Sequence, residues 1–176
     1  MRRWTMILAV LAMAAIPPAA AAQARPAKDA HGAAAFERLK ALEGTWAGKA
    51  GEPDGDKIDA TVTYRVTSGG KAVMETLFPG TPHEMVTMYT LDRGTLVLTH
   101  YCTMGNQPHM RARRGGSPDE LVFDFAGGAN IDPRRDDHMH DLRLVFVDAD
   151  HIRGAWRSWS RGKPSGTAAF DMERRR

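Results

Sequence analysis

After residue 45 the chain alternates apolar and polar residues in short stretches separated by turn residues. An alternation with a period of two is typical of β-strands that bury one face. Glycine, proline, aspartate and serine between the stretches favour tight turns. The pattern predicts ten strands, at residues 46–51, 58–67, 71–78, 83–91, 95–102, 107–113, 120–126, 138–147, 151–160 and 167–173.

One stretch before these strands has the spacing of a helix. Phe36, Leu39 and Leu42 recur at every third position, and Gly44 follows them. Apolar residues at this spacing form one face of a helix, and glycine often ends a helix because it tolerates a left-handed backbone. The sequence therefore predicts one short helix over residues 33–42.

The connections between the predicted strands are short. Short connections favour antiparallel neighbours, whereas parallel neighbours need long crossovers. Ten antiparallel strands in chain order predict an all-β, up-and-down barrel with a short N-terminal helix, because closure removes the exposed edges of an open sheet. A two-sheet sandwich is the alternative, and the lack of long crossovers counts against it.

The first 24 residues have the pattern of a secretory signal peptide. Arg2 and Arg3 precede an apolar run at residues 6–16, and small residues lead to Ala24. This order of basic, apolar and small residues directs export and cleavage. The apolar run is shorter than the ~20 residues that a membrane-spanning helix needs. We expect cleavage after Ala24, a flexible linker at residues 25–32, and a periplasmic or secreted protein without a stable membrane span.

Charge and cysteine content further narrow the functional classes to which the protein could belong. Without Arg2 and Arg3 the 24 basic residues fall to 22, against 21 acidic residues. Nucleic-acid-binding proteins usually carry a strongly basic face, so this balance does not indicate a nucleic-acid partner. Cys102 is the only cysteine, so the exported chain must be held by its core and not by an internal disulfide. Cys102 is either a buried packing residue or a reactive thiol or metal ligand.

Residues 39–48 (LKALEGTWAG) resemble the opening segment of calycin-like barrels. Lipocalins carry Gly-x-Trp at this place, matched by Gly44 and Trp46. Bacterial lipocalin-like barrels of unknown function and nitrobindin haem proteins show a similar Leu-x-Gly-Thr-Trp-x-Gly, matched by Leu42, Gly44, Thr45, Trp46 and Gly48.

The resemblance implies a single lipocalin-like barrel over residues 33–176, with Trp46 plugging one end beneath the helix. Arg174 corresponds, by position alone, to the arginine that packs on this tryptophan in lipocalins. The rest of the chain looks most like the uncharacterised bacterial members. The proximal histidine of nitrobindin has no matching motif here.

Strand direction in a meander places most of the histidines at one rim. Because direction reverses at every hairpin, the third and fifth strands end at the rim opposite Trp46, and the fourth, sixth and eighth begin there. Five of the seven histidines lie at these positions, namely His83, His100, His109, His138 and His140.

Alternation also predicts which of these side chains face inward. His138 and His140 share a strand face with Leu142, and His100 shares one with Leu96 and Leu98. Residues two apart point to the same face of a strand. Three imidazoles in one barrel mouth resemble the three-ligand, open-position site of a catalytic zinc ion. The sequence thus offers His100, His138 and His140 as a metal site.

The same rim carries candidate ligand contacts. Tyr101 and Trp156 could stack a flat ligand, and Arg111 could neutralise an acidic head group, as an internal arginine does in fatty-acid-binding proteins. The predicted ligand-binding residues are His83, His100, Tyr101, His109, Arg111 and Trp156.

Four functions fit these features. The sequence predicts first an exported barrel that binds a small molecule at the rim opposite Trp46. The alternatives are a metal-binding protein or metalloenzyme, a nitrobindin-like haem protein and a structural barrel without ligand. No nucleophile elbow, Walker loop, zinc-protease helix or dinucleotide fingerprint is present, which favours a binding protein over an enzyme. No cofactor is identified, with a divalent metal and haem both left open.

Overall fold

The computed structural model describes residues 30–115 and 117–176 of the chain. The predicted signal peptide and residues 25–29 of the predicted linker lie outside the described residues. The helix α1 spans Ala30–Lys40. It begins three residues before the predicted helix, so it includes the last three positions of the expected linker.

Ten strands follow the helix, and each overlaps one predicted strand. They are β1 (Gly44–Gly51), β2 (Lys57–Thr67), β3 (Ala72–Leu77), β4 (Met85–Asp92), β5 (Thr95–Tyr101), β6 (Gln107–Ala112), β7 (Glu120–Ala129), β8 (His138–Phe146), β9 (His151–Ser160) and β10 (Lys163–Arg174). A turn of 3₁₀ helix at Ser68–Gly70 connects β2 to β3.

The strands form one closed antiparallel barrel. Each strand pairs with its neighbours along the chain, and β1 pairs with β10 to close the sheet. At the closure Trp46 lies opposite Val62 on one side and Arg174 on the other. The predicted meander is confirmed and the sandwich alternative is wrong, because every strand has a hydrogen-bonded neighbour on both sides.

Alternation along β5 shows how the sequence builds the interior. Leu96, Leu98 and His100 are buried, whereas Tyr101 is exposed. Burying apolar side chains on the inner face stabilises the barrel by ~25 cal/mol per Å² of apolar surface removed from water. The predicted inward face of β5 is therefore confirmed.

Trp46 fills the end of the barrel that α1 covers. The indole is fully buried, and its Nε1 donates a hydrogen bond to the Leu42 carbonyl oxygen at 2.8 Å. The Arg174 guanidinium lies 4.3 Å from the centre of the Trp46 ring. It also donates hydrogen bonds to the carbonyl oxygens of Glu43 and Ala41, at 2.8 and 2.9 Å. Arg174 thus packs on the tryptophan, as its position suggested, and ties the end of α1 to β10.

Two glycines of the opening segment have specific steric roles. Gly44 has φ of 131°, a backbone conformation that other residues rarely adopt. A Cβ at Gly48 would lie 2.0 Å from the Asp171 carbonyl oxygen of β10. The close approach of β1 and β10 at the closure therefore requires glycine at position 48.

Within residues 30–115 and 117–176, no helix has the length and apolar character needed to cross a bilayer.

Candidate ligand cavity

The barrel contains a cavity of about 150 Å³ near the end opposite Trp46. Gly51, which lies on its wall, is five positions along β1 from Trp46, a distance of roughly 16 Å along a strand. The lining combines His100 with apolar side chains that include Leu77, Phe78, Met85, Met139, Trp156 and Phe170. His100 is the only ionisable residue among the described lining residues.

His100 is almost fully buried in the cavity wall. Its Nδ1 lies 3.0 Å from the Thr87 Oγ1, and its ring centre lies 4.6 Å from the Trp156 ring. The other ring nitrogen, Nε2, is buried and has no hydrogen-bond partner. Burial lowers the pKa of His100 from 6.5 to about 4, so the imidazole is neutral at neutral pH.

A polar network lies behind His100 inside the barrel. Tyr64 and Tyr89 donate hydrogen bonds to the two carboxyl oxygens of Glu75, at 2.7 and 2.8 Å. Thr87, which pairs with Glu75 across β3 and β4, also lowers the pKa of this carboxyl group. Burial raises the pKa of Glu75, and the three hydroxyl groups oppose that rise because they stabilise the carboxylate. The network links a buried acid to the wall of the cavity through Thr87 and His100.

The sequence interpretation did not identify this network, although β3 carries a signal for it. Glu75 has the same parity as Val73 and Leu77, two residues that are buried in the barrel. A carboxylate between two inward apolar residues is costly unless it is hydrogen-bonded, which marks it as part of an internal polar cluster.

The mouth of the cavity lies between the β1–β2 and β3–β4 connections. Ile58 lines the cavity and is 60% exposed, so the cavity reaches the surface there. Phe78, directly after β3, has φ of 51°, in the left-handed region. This conformation costs a non-glycine residue about 1–2 kcal/mol. The Phe78 amide donates a hydrogen bond to the Thr61 carbonyl oxygen at 2.9 Å, which holds the strained residue at the mouth.

Four of the six predicted ligand contacts lie on the outer surface. His83, Tyr101 and His109 are exposed, and Arg111 forms an ion pair with Asp92 on the outside of β4. Tyr101 follows the inward-facing His100 on β5. On β6, His109 and Arg111 alternate with buried residues. The alternation of the strands therefore places the side chains of Tyr101, His109 and Arg111 on the outer face. Arg111 is therefore not an internal arginine. His100 and Trp156 are the two predicted contacts that line the cavity.

His138 and His140 form a separate cluster beside the cavity. The His138 Nδ1 lies 2.8 Å from the Asp136 carbonyl oxygen, and its Nε2 lies 3.0 Å from the His140 Nδ1. The His140 ring stacks on Trp159, with centres 3.8 Å apart, and on Phe125, with centres 4.9 Å apart.

A β-bulge explains why these two histidines do not join His100. The register between β8 and β9 shifts between Met139 and Asp141, which leaves His140 as the extra residue. A bulge changes the alternation of the strand that contains it. Met139 is consequently the β8 side chain in the cavity lining. The expectation that His138 and His140 follow the inward parity of Leu142 into the cavity is wrong.

Across the described ranges, 30–115 and 117–176, no three histidine, cysteine, aspartate or glutamate side chains are grouped so as to hold a metal ion. The structure therefore does not bring His100, His138 and His140 together as one metal site. Cys102 is buried, and its Sγ lies 3.9 Å from the Met85 Sδ. This environment fits the packing interpretation of the cysteine.

The cavity does not fit a haem group. Pockets for drug-sized ligands occupy ~300–1,000 Å³, and a porphyrin is larger than most such ligands. The volume of about 150 Å³ beside His100 is smaller than that range. His100 therefore lines a space for a much smaller molecule.

Comparisons with known proteins agree with the fold. No protein-family model matches the chain, and a search of curated proteins finds no match. Among solved structures, Rv2717c from M. tuberculosis is similar, with 16% sequence identity and a TM-score of 0.54 over 81% of this chain and 98% of that chain. A DUF3598-family protein of unknown function from Nostoc punctiforme PCC 73102 is 14% identical, with a TM-score of 0.44 over 78% of this chain and 48% of that chain. The first similarity is one of fold. It supports the ten-stranded barrel and assigns no function.

Proposed function

We propose that the chain is an exported, calycin-like barrel that binds a small apolar molecule in the cavity opposite Trp46. The observation that carries this proposal is an apolar cavity whose wall includes His100, a residue with one buried, unpartnered nitrogen. Protein interiors are packed as densely as organic crystals, so cavities of this kind are few in a domain. In this proposal the ligand contacts His100 and Trp156.

The unpartnered nitrogen supports a ligand beside it. Buried polar groups nearly always have a hydrogen-bond partner. Leaving one without a partner costs about 1–3 kcal/mol, which a hydrogen bond to a bound molecule would offset. The strained backbone of Phe78 at the mouth is a second sign, because such strain concentrates at binding sites.

The size of the cavity sets the size of the ligand. An engineered apolar cavity of ~150 Å³ in another protein stays free of water and binds benzene. The cavity here has the same volume. We therefore expect a ligand with a single ring or an equivalent branched apolar group.

The calycin-like assignment is supported by the opening segment and by the closed end. Trp46 is buried beneath α1, and Arg174 packs on its ring. Export is supported by the signal-peptide pattern of residues 1–24.

Filling the cavity tests the proposed function. Ala168 lines the cavity, whereas its neighbour Ala169 lies on the opposite face of β10, in an outer groove with Lys49 and Arg153. Ala168→Leu should weaken binding of toluene, measured by NMR titration, by about ten-fold or more because the added side chain occupies the ligand space.

Ala169→Leu is the matched control and should leave toluene affinity within about two-fold. Equal toluene binding by both variants, or no binding by the wild type, would rule out the cavity as the binding site.

A second candidate function is metal binding at His138 and His140 alone. Its support is the hydrogen bond between the His138 Nδ1 and the Asp136 carbonyl oxygen, since a metal-bound histidine usually donates its other ring N–H to such a group. Elemental analysis of protein purified without chelator should then find zinc or copper that His138→Ala removes. Metal-free wild-type protein that also fails to bind added zinc or copper would exclude this candidate.

A further inference from the structure

A groove on the outside of the barrel lies on the opposite face of the sheet from the interior cavity. Ala155 and Ala169 lie on the floor of this outer groove. Four positively charged side chains also line it, namely Lys49, Lys57, Arg143 and Arg153. Its volume of about 390 Å³ falls within the ~300–1,000 Å³ that is typical of ligand pockets, so a small molecule fits there.

The strand register forms the floor by placing small residues in one row across the sheet. Ala155 on β9 pairs with Ala169 on β10, which in turn pairs with Gly51 on β1. Paired residues lie on the same face of a sheet, so this row presents only methyl groups or no side chain. Val145 on β8 adds a third apolar side chain to the lining. The floor is therefore apolar and lower than its surroundings.

Long charged side chains border this floor. Arg143 and Lys57 occupy the two ends of the row of small residues. Neighbouring strands lie ~4.8 Å apart, so the row spans roughly 19 Å, which is long enough for an extended apolar chain. The adjacent row carries Arg153, Asp171 and Lys49. The groove lining thus has four positive side chains and one carboxylate.

The partners of these cations leave them available to a ligand. Arg143 and Lys49 form ion pairs with Glu120 and Asp59, two carboxylates that lie outside the groove lining. Lys57 has no carboxylate partner among the described residues, and its ammonium group donates to two carbonyl oxygens of the β1–β2 connection. Exposed ion pairs are weak because water and salt screen them, so an anionic ligand can compete for these cations.

We propose that the outer groove binds an amphipathic anion, such as a fatty-acid carboxylate. Its apolar chain lies on the floor formed by Val145, Ala155 and Ala169, and its acidic group contacts the cationic border. Arginine and lysine are the side chains that bind carboxylate groups through charge-assisted hydrogen bonds. The groove and the interior cavity lie on opposite faces of the sheet, so this inference does not depend on the proposed function.

A comparison of four probes on the wild-type protein tests the required chemistry. Dissociation constants of octanoate, 1-octanol, octylammonium and acetate are measured by NMR titration at neutral pH. Octanoate should bind about ten-fold or more tightly than the other three, because it alone has both the chain and the negative charge. Added salt should weaken its binding. Equal affinities for octanoate and octylammonium would overturn the inference.

Charge reversal at Lys57 tests whether the groove itself provides the positive charge. Lys57→Glu should weaken octanoate binding about five-fold or more, because it places a negative charge at one end of the floor. Lys71 is also exposed but does not line the groove, so Lys71→Glu is the matched control for net charge. It should change the octanoate affinity by less than about two-fold. Equal losses in both variants would show that the attraction is not specific to the groove.

Methyl signals of the wild-type protein locate the bound octanoate without any substitution. The Ala155 and Ala169 methyl signals should shift in a saturable way as octanoate is added. The signal of Met139, which lines the interior cavity, should stay unchanged. Shifts at Met139 with unchanged Ala155 and Ala169 signals would place octanoate in the interior and overturn the inference.

Discussion

His100 combines burial, a hydrogen bond to Thr87 and a buried, unpartnered nitrogen in one side chain. Thr87 holds its Nδ1, and the apolar wall keeps its ring neutral. The hydrogen bond to Thr87 fixes the orientation of the ring in the cavity wall. The chemistry of the cavity therefore depends on the hydroxyl and carboxyl groups that lie behind the wall.

The lowered pKa of His100 predicts a specific pH dependence of stability. The pKa of His100 in the folded protein, about 4, lies below the usual histidine value of 6.5, so between pH 4 and pH 6.5 the unfolded chain binds the proton more readily. The contribution of His100 to the free energy of unfolding is fully present above pH 6.5 and is lost as the pH falls toward 4. Relative to His100→Gln, the wild type should lose roughly 2–3 kcal/mol of unfolding free energy between pH 7 and pH 4.5.

Urea unfolding of both proteins at the two pH values measures this difference. Glu75 has a raised pKa and acts in the opposite direction, because its stabilising contribution falls as pH rises. Glu75 is present in both proteins, so the comparison isolates His100. An equal pH dependence in the two proteins would show that His100 titrates normally.

The closure of the barrel depends on the pairing of two strands and cannot be seen at a single residue. The β1–β10 closure depends on Gly48, where an added methyl group would overlap the Asp171 carbonyl oxygen. The closure brings the two strands together over the segment that also holds Trp46 and Arg174. A change at position 48 therefore affects the strand pairing that closes the barrel.

Gly48→Ala should destabilise the barrel by about 1–3 kcal/mol or prevent its closure, because the backbone must shift to accept the side chain. Thermal unfolding measures the effect. Gly154→Ala on β9 is the matched control, since its Cβ would meet only the Phe170 Cβ at an ordinary 3.7 Å. Equal melting temperatures for Gly48→Ala and the wild type would contradict the steric account of the closure.

The strands were predictable from sequence because alternation and turn residues are local signals. The start of β10 was missed because Pro164, Ser165 and Gly166 are turn-forming residues inside a strand, beside a register shift. The bulge at His140 was missed because a register shift is a property of two paired strands.

The candidate site was only partly predictable from the sequence, because part of it depends on how neighbouring strands pair. The alternation along β5 correctly predicted that the His100 side chain points into the barrel, because β5 has no bulge there. Tyr64, Glu75 and Thr87 come from three different strands and meet only when β2, β3 and β4 pair in this register. Their connection to His100 needs the three-dimensional register, which a single sequence does not contain.

At the scale of the whole molecule, the two ends of the barrel have different roles. Trp46, Arg174 and α1 fill and tie one end through packing and hydrogen bonds. The other end keeps a cavity, and an exposed Ile58 lies at its mouth. A closed sheet can hold an interior space because its strands have no free edge to pair elsewhere.

The fold alone does not assign a function, since one barrel architecture supports many. The similarity to Rv2717c from M. tuberculosis is likewise a similarity of fold. The proposed function therefore depends on the apolar space and on His100, whose ring lines it. Both are features of this chain and are not taken from a similar structure.

The most direct test observes the methionine methyl groups by ¹³C NMR while toluene is added to the full protein. Met85 and Met139 line the cavity, whereas Met104 is exposed on the surface. We expect saturable shifts of the Met85 and Met139 signals, because an aromatic ring placed in the cavity changes their local magnetic field. The Met104 signal should stay unchanged. Unchanged Met85 and Met139 signals at saturating toluene would contradict the proposal that the barrel binds a small molecule in this cavity.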